Sequence, residues 1–214
     1  MKELNTICSM LIIAGIISFL GFALENIWLI FTKGFADNRN MNLPFLSGYS
    51  VIVLGMYFLF GTPLDIGGND RTPEERYLIY FVMAFFTVSL GEIVLGTFME
   101  RFFGFEYWNY TRLPMHITKY TSVPTSLGFA FIITEFMGEV FPKLLGFTAA
   151  LDPMVKIYAG IAIAVLLPLD FFISFREMYI SRSLNTIWTI HIFPKGIPEM
   201  IKESSSQKFR HGSC

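Results

Sequence analysis

Five long apolar runs with few charges govern what this chain can become. A helix crossing the hydrocarbon layer of a bilayer needs roughly 20 mostly apolar residues. Ile7 to Phe31 is such a run, uncharged until Glu25. Leu46 to Phe60 follows, shorter and set off by Leu43-Pro44 before it and Gly61-Thr62-Pro63 after it. Tyr77 to Met99, Val123 to Phe141 and Ile157 to Phe175 complete the set, the last bounded by Asp152-Pro153 and Arg176. The first run reads as a span rather than a cleavable leader, since the apolar stretch is too long and no small-residue cleavage site follows. A soluble bundle would need amphipathic helices to cover these runs, and the sequence offers none. Only 15% of the residues are charged and 53% are hydrophobic, against about a quarter charged in a soluble domain. The 24 phenylalanines suit a surface facing lipid. The expected fold class is therefore an all-α integral membrane protein with about five transmembrane helices, and its first partner is the lipid bilayer.

Several function classes drop out. A net charge of -1 argues against a nucleic-acid partner. No Gly-rich Lys-Ser/Thr phosphate loop is present, so the chain is not expected to hydrolyse ATP itself. His116, His191 and His211 lie in or beside polar connectors, and Cys8 and Cys214 stand far apart. A zinc or di-iron centre needs clustered ligands, so neither a metal nor a cofactor is expected.

Polar, turn-rich sequence from Leu64 to Arg76 separates the second and third runs, and Thr72 or Asp70 is placed to cap the third helix. Residues 1–176 then form one transmembrane domain, and residues 177–214 an interfacial stretch with a disordered Ser-rich end. Pro194 and Pro198 prevent a sixth span. Five spans put the termini on opposite faces. One face receives Lys33, Arg39, Arg101, Arg112, Lys119, Arg176, Arg182 and Lys195, and the other Lys2, Arg71, Arg76, Lys143 and Lys156. The richer face is the cytoplasmic one by the positive-inside bias, which predicts an external N-terminus and a cytoplasmic tail.

An internal repeat is the most informative pattern. Leu20-Gly21-Phe22-Ala23-Leu24-Glu25 on the first span matches Leu95-Gly96-Thr97-Phe98-Met99-Glu100 on the third. Each is followed by a connector holding Leu-Pro (Leu43-Pro44, Leu113-Pro114), then by Ser-Val (Ser50-Val51, Ser122-Val123), then by a glycine (Gly55, Gly128). The chain reads as two duplicated helix-loop-helix units, 7–62 and 77–142, plus a fifth helix over 157–175. Two spans per unit give both the same orientation, the parallel kind of repeat.

Within each unit Gly and Glu stand four apart and share one helix face. Glycine lets another helix approach, which places the carboxylate at the contact rather than in lipid. A charged group in hydrocarbon is expensive, so it is paired, protonated or wet. Glu25, Glu92, Glu100 and Glu135 are the candidate site carboxylates, with Arg101 as a cation beside Glu100. Glu139 and Asp170 are read as reaching the interface. The aromatic connector Phe103 to Pro114 adds Trp108, Asn109 and Tyr110, expected to fold back against the helix ends carrying Glu25 and Glu100. Trp and Tyr have an apolar body and a polar tip, and Asn brings a donor and an acceptor.

Leu95-Gly96 to Glu100, Phe103-Gly104, Trp108-Asn109-Tyr110, Pro114, Tyr120 and Ser126-Leu127 together resemble the hallmark stretch of the type IV ABC-transporter family of the CmpB kind, to which the transmembrane protein 229 proteins belong. Gly21 to Glu25, Asn38-Arg39, Phe45 to Tyr49, and Leu169-Asp170-Phe171 with Ser174 are similar to other parts of that pattern. Asn109 stands where the family usually has Asp, and Gly128-Phe129 where it has Trp. More distantly, a membrane glutamate followed by aromatic-Tyr and proline resembles the membrane carotenoid hydratases and cyclases. The resemblance implies a transport component for a small or lipid-like molecule. Two alternatives stand beside it: a membrane-embedded enzyme on an isoprenoid or lipid with a buried Glu as general acid, and a non-catalytic partner subunit.

Overall fold

Two helices of this chain start at capping residues ahead of their apolar runs, at Thr72 and at Asp152. The computed structural model describes residues 2–67, 70–104 and 106–194. Helix α1 is Lys2–Lys33 and α2 is Ser47–Phe60, with a short 3₁₀ turn at Pro63–Asp65 after it. Helix α3, Pro73–Phe103, starts at Thr72, whose hydroxyl accepts the Glu75 N–H while the Glu75 carboxylate accepts the Thr72 N–H. This reciprocal capping box, with Pro73 at the first helical position, fixes the start. Gly104, at φ 76°, ends the helix in the left-handed region.

The fourth span is one continuous rod: α4 (Val123–Glu135), a π-helical turn (Phe136–Val140) and α5 (Phe141–Ala150). The sequence reading ends this span at Phe141, and Pro142 follows. The wider π turn just ahead of Pro142 takes up the missing N–H, and the helix continues. Helix α6, Pro153–Ser181, is capped by Asp152, whose carboxylate accepts the Met154 and Val155 N–H groups at 2.9 and 3.3 Å. Among the described residues five helices are long and apolar enough to cross a membrane. The molecule is a multi-pass membrane protein of the all-α class.

Helix α1 packs with α2 and α6, and α3 packs with α4. Helices α1 and α2 meet the α3–α4 pair on an apolar core of Ile13, Ile17, Val53, Met56, Tyr80, Ala84, Val88, Ala130, Ile133, Met137 and Phe141. Glycines set the closest approaches. A Cβ at Gly160 would lie 2.9 Å from the Cys8 Cα, so α6 crosses α1 backbone against side chain there.

Both connectors on one side of the bundle turn back along the helices. The first carries β1 (Phe35–Asp37), and its far end donates Leu46 N–H to the Ser18 carbonyl at 2.9 Å. That carbonyl lies about 22 Å along α1 from Lys33 at 1.5 Å per residue. Helix α2 therefore starts deep and needs only about 21 Å of length to finish the crossing, which explains its short apolar run. The second connector carries β2 (His116–Thr118) and β3 (Thr121–Ser122), and Thr121 reaches Glu92, about 16 Å along α3 from Phe103.

The expected interfacial stretch after the last span has structure. Helix α6 runs to Ser181, and β4 (Thr189–His191) pairs antiparallel with β1, Phe35 opposite His191 and Asp37 opposite Thr189. The Gly34 carbonyl accepts the Ile192 and Phe193 N–H groups, each at 2.9 Å. The Ser-rich end, including Lys195 and Pro198, lies outside the described residues.

Candidate functional site

The first carboxylate cluster is built by a helix and a connector strained to meet it. Arg39 and Asn40 have φ of 47° and 63°, a left-handed pair that bends the chain over α1. The Arg39 guanidinium pairs with Glu25 through Nε at 2.8 Å and through Nη2 on the same oxygen. Asp37 accepts the Arg39 N–H at 2.8 Å. The Tyr49 hydroxyl donates to the other Glu25 oxygen at 3.0 Å. Burial works against the Arg39 charge, yet Glu25 and Asp37 outweigh it and hold the guanidinium above its ordinary range. Gly21 is what admits the Tyr49 ring, because a Cβ there would lie 2.9 Å from the Tyr49 Cβ and closer still to the ring.

The second cluster repeats these contacts with different residues. Glu100 pairs with Lys119 through one oxygen and accepts from the Tyr120 hydroxyl at 2.6 Å through the other. Gly96 admits the Tyr120 ring, since a Cβ there would lie 2.8 Å from the Tyr120 Cβ. Lys119 also pairs with Glu106 at 3.0 Å. The two carboxylates raise the Lys119 ammonium above its ordinary range, and hydrogen bonds from Asn109 and then Lys119 hold Glu106 below its own. Arg101 and Arg112 are exposed and form no ion pair with Glu100.

The aromatic connector touches both clusters. The Tyr107 hydroxyl donates to the Arg39 carbonyl at 3.1 Å, and Trp108 Nε1 donates to the Tyr120 carbonyl at 2.8 Å. The Trp108 ring stands edge-on to Tyr107 and to Tyr120, each at 5.9 Å. Burial pushes the Tyr107 phenol up to about 12. Burial first, then Glu92 and Glu25, raise the Tyr110 phenol, so that ring feels both carboxylates. Asn109 does something else. Its oxygen accepts the Thr111 N–H at 2.9 Å and its nitrogen donates to Glu106 at 2.6 Å, so it closes a local turn and meets neither Glu25 nor Glu100.

Glu92 lies deeper. Thr121 donates to its Oε2 at 2.6 Å and Ser126 at 3.3 Å, with the two hydroxyls 2.9 Å apart. Among the described residues no cation pairs with it. Non-helical backbone at such depth needs partners inside the protein or water beside it. Part of that need is met by the Tyr110 N–H on the Lys119 carbonyl (2.7 Å) and the Val123 N–H on the Met115 carbonyl (3.0 Å).

Glu135 does not join this group. It is exposed on α4, near the opposite end of the bundle, where it acts on Tyr77 together with Glu139. Glu139 itself accepts from the Tyr77 hydroxyl at 3.3 Å and lies 3.9 Å from Lys143. Asp170, read as interfacial, is buried, because the Asn42 and Leu43 N–H groups of the first connector fold down onto it at 3.1 and 2.9 Å. Arg39, Tyr49, Lys119 and Tyr120 are site residues that charge and hydropathy alone do not single out. The signal for the two tyrosines is the repeat itself, since Tyr49 and Tyr120 each stand just before a Ser-Val pair, although α2 already begins at Ser47, ahead of Ser50-Val51. Among the described residues no group of three or more His, Cys, Asp or Glu is arranged to hold a metal ion.

No curated protein and no solved structure matches the chain. One family model does, described as Putative ABC-transporter type IV, and it matches residues 12–175. That stretch runs from early α1 through most of α6 and includes both carboxylate clusters, and the chain belongs to this family.

Proposed function

We propose that the chain is the membrane-embedded part of a transport system for a small or lipid-like molecule, with Glu92 as the group that receives the cargo or a coupling cation. The observation that carries this reading is the second connector folded back along α3, which brings Thr121, and with it Ser126 in the first turn of α4, to a carboxylate without a cation. Irregular backbone at membrane depth belongs to protein interiors and water-lined cavities, and transporters use it at their binding sites. Glu25 and Glu100 have both oxygens occupied and a cation each. They pin the two connectors and frame the site, while Glu92 keeps acceptor capacity for a ligand. The repeated Gly-Tyr-Glu contacts support the reading of two duplicated units around one axis. Positive residues at the connector face support a cytoplasmic opening with the N-terminus outside. With no phosphate loop in the sequence, the driving energy comes from a partner subunit or an ion gradient.

The experiment is mass spectrometry of lipids and metabolites retained by the purified protein. Wild type and Glu135→Gln should retain a common small or lipid-like molecule that Glu92→Gln loses without loss of folded yield. Equal recovery from all three overturns the assignment of Glu92.

A further inference from the structure

We propose that Asp170 is a proton-binding site in the membrane-spanning core, a neutral carboxylic acid in the folded protein with its proton on Oδ2. This inference stands apart from the transport reading, because it uses neither Glu92 nor a ligand.

The argument is the asymmetry of its partners. Asp170 is 5% exposed on α6. Its Oδ1 accepts three donors: the Leu43 N–H at 2.9 Å, the Asn42 N–H at 3.1 Å and the Ser174 hydroxyl at 3.4 Å. Its Oδ2 is fully buried and has no partner. An ionised carboxylate spreads its charge over both oxygens, and each attracts donors. Glu25 and Glu100 behave that way, and among the described carboxylates Asp170 alone has an oxygen that is both fully buried and without a partner. Glu25 takes Arg39 on one oxygen and Tyr49 on the other, and Glu100 divides Lys119 and Tyr120 likewise. Asp170 instead has the asymmetry of an acid: one oxygen collects the donors as a carbonyl does, and no donor reaches the other.

Charge points the same way. No Lys, Arg or His lies within ion-pair distance of Asp170 among the described residues, either from α1 and the first connector packed against it or from α6 itself. The charged group that acts on it is Glu177, two turns along α6 and of like sign. A buried unpaired charge is expensive, and one proton removes it while leaving all three hydrogen bonds to Oδ1 in place.

The site also has a mechanical consequence. Asn42 and Leu43 follow the strained Arg39-Asn40 bend, so the proton on Asp170 and the hold on the first connector belong to one arrangement. Losing the proton puts a charge on an oxygen that has no donor, which favours moving the connector or admitting water.

Infrared spectroscopy of protein labelled with ¹³C at the aspartate carboxyls tests this at pH 7. The other aspartates lie outside the core: Asp37 pairs with Arg39, Asp65 accepts from Thr62, Asp152 caps α6, and Asp70 is exposed. The expected result is a label-sensitive, deuterium-sensitive carbonyl stretch of a protonated acid, absent from Asp170→Asn. Asp170→Asn should also keep the wild-type thermal midpoint, because an amide reproduces the carbonyl oxygen and the donor of the neutral acid, whereas Asp170→Ala should not. A label that shifts only carboxylate bands overturns the proposal. So does an Asp170→Asn variant that loses as much stability as Asp170→Ala.

Discussion

Gly96 carries a sharp test of how the second cluster is built. Replacing it with alanine puts a methyl group 2.8 Å from the Tyr120 Cβ and nearer still to the ring. The ring cannot simply step aside. Tyr120 is 3% exposed, its hydroxyl is on Glu100, its carbonyl is held by Trp108, and its ring stands edge-on to Trp108 at 5.9 Å. Overpacking of this kind costs about 1–3 kcal/mol, and losing the aromatic pair adds about 0.5–1.5 kcal/mol. The better helix propensity of alanine returns about 1 kcal/mol. The net expectation for Gly96→Ala is a loss of about 2 kcal/mol. Gly128→Ala is the control, since a Cβ at Gly128 meets nothing within 4 Å; it should be neutral or slightly stabilising. The assay is a double-mutant cycle with Tyr120→Ala, read by denaturant unfolding in detergent with circular dichroism. Once the ring is gone, Gly96→Ala should become harmless, leaving a coupling of at least about 1.5 kcal/mol, the sum of the smallest steric and aromatic contributions. Additive effects, with Gly96→Ala as damaging without the ring as with it, would refute the argument.

Two further outcomes follow from the connectors. Glu106 is held below its ordinary range by Asn109 and Lys119, so its contribution is present above the unfolded carboxylate value and disappears as pH falls through the lowered one. Lys119 is raised, so its contribution is present at neutral pH and is lost only in strong alkali. Trp108 fluorescence should therefore stay constant from about pH 5 to 9 and change in acid below about pH 4, and a change centred near neutral pH would count against these ion pairs. At the α1–α6 crossing, Gly160→Val forces the Cys8 backbone away, because even a Cβ would lie 2.9 Å from its Cα. It should lower the thermal midpoint and expose Cys8 to a thiol reagent, while Gly146→Val, with nothing within 4 Å, should do neither.

The spans were legible because hydropathy acts on whole helices, and bilayer thickness converts run length directly into crossing. Thr72 as a helix start was legible, beside Asp70, for a local reason, since a cap and a following proline are neighbours in sequence; Asp152-Pro153 was legible as a boundary, and the helix begins there rather than at Ile157. The end of the fourth span was not, because Pro142 stops an α-helix but not one that has just opened into a π turn. The repeat drew attention to Gly21, Glu25, Gly96 and Glu100, and the structure puts a tyrosine on each pair. The cation on Glu100 was beyond reach of the sequence: Arg101 is next in the chain but is exposed and forms no ion pair with it, whereas Lys119 arrives from the far end of a folded connector. The pairing of β4 with β1 was equally hidden, since three residues of each strand carry no periodicity worth reading.

Glu25, Glu92, Glu100 and Asp170 differ in what fills their valences. Glu25 and Glu100 are saturated on both oxygens and neutralised by Arg39 and Lys119, so a ligand could reach them only by displacing a bond that holds a connector. Their loss should appear first as loss of fold. Asp170 is saturated on one oxygen and bare on the other, in a place too closed for a ligand larger than a proton. Glu92 is partly exposed, holds two hydroxyls on one oxygen and faces no cation. A carboxylate held in position by neutral donors, yet still owed a positive charge, is the arrangement a binding site requires and a structural ion pair does not. On the proposed transport reading the two clusters, conspicuous in sequence, are the frame, and the chemistry falls to Glu92, the acid that the repeat leaves unmatched, for Ile17 and Ser18, at the corresponding position of α1, carry no charge.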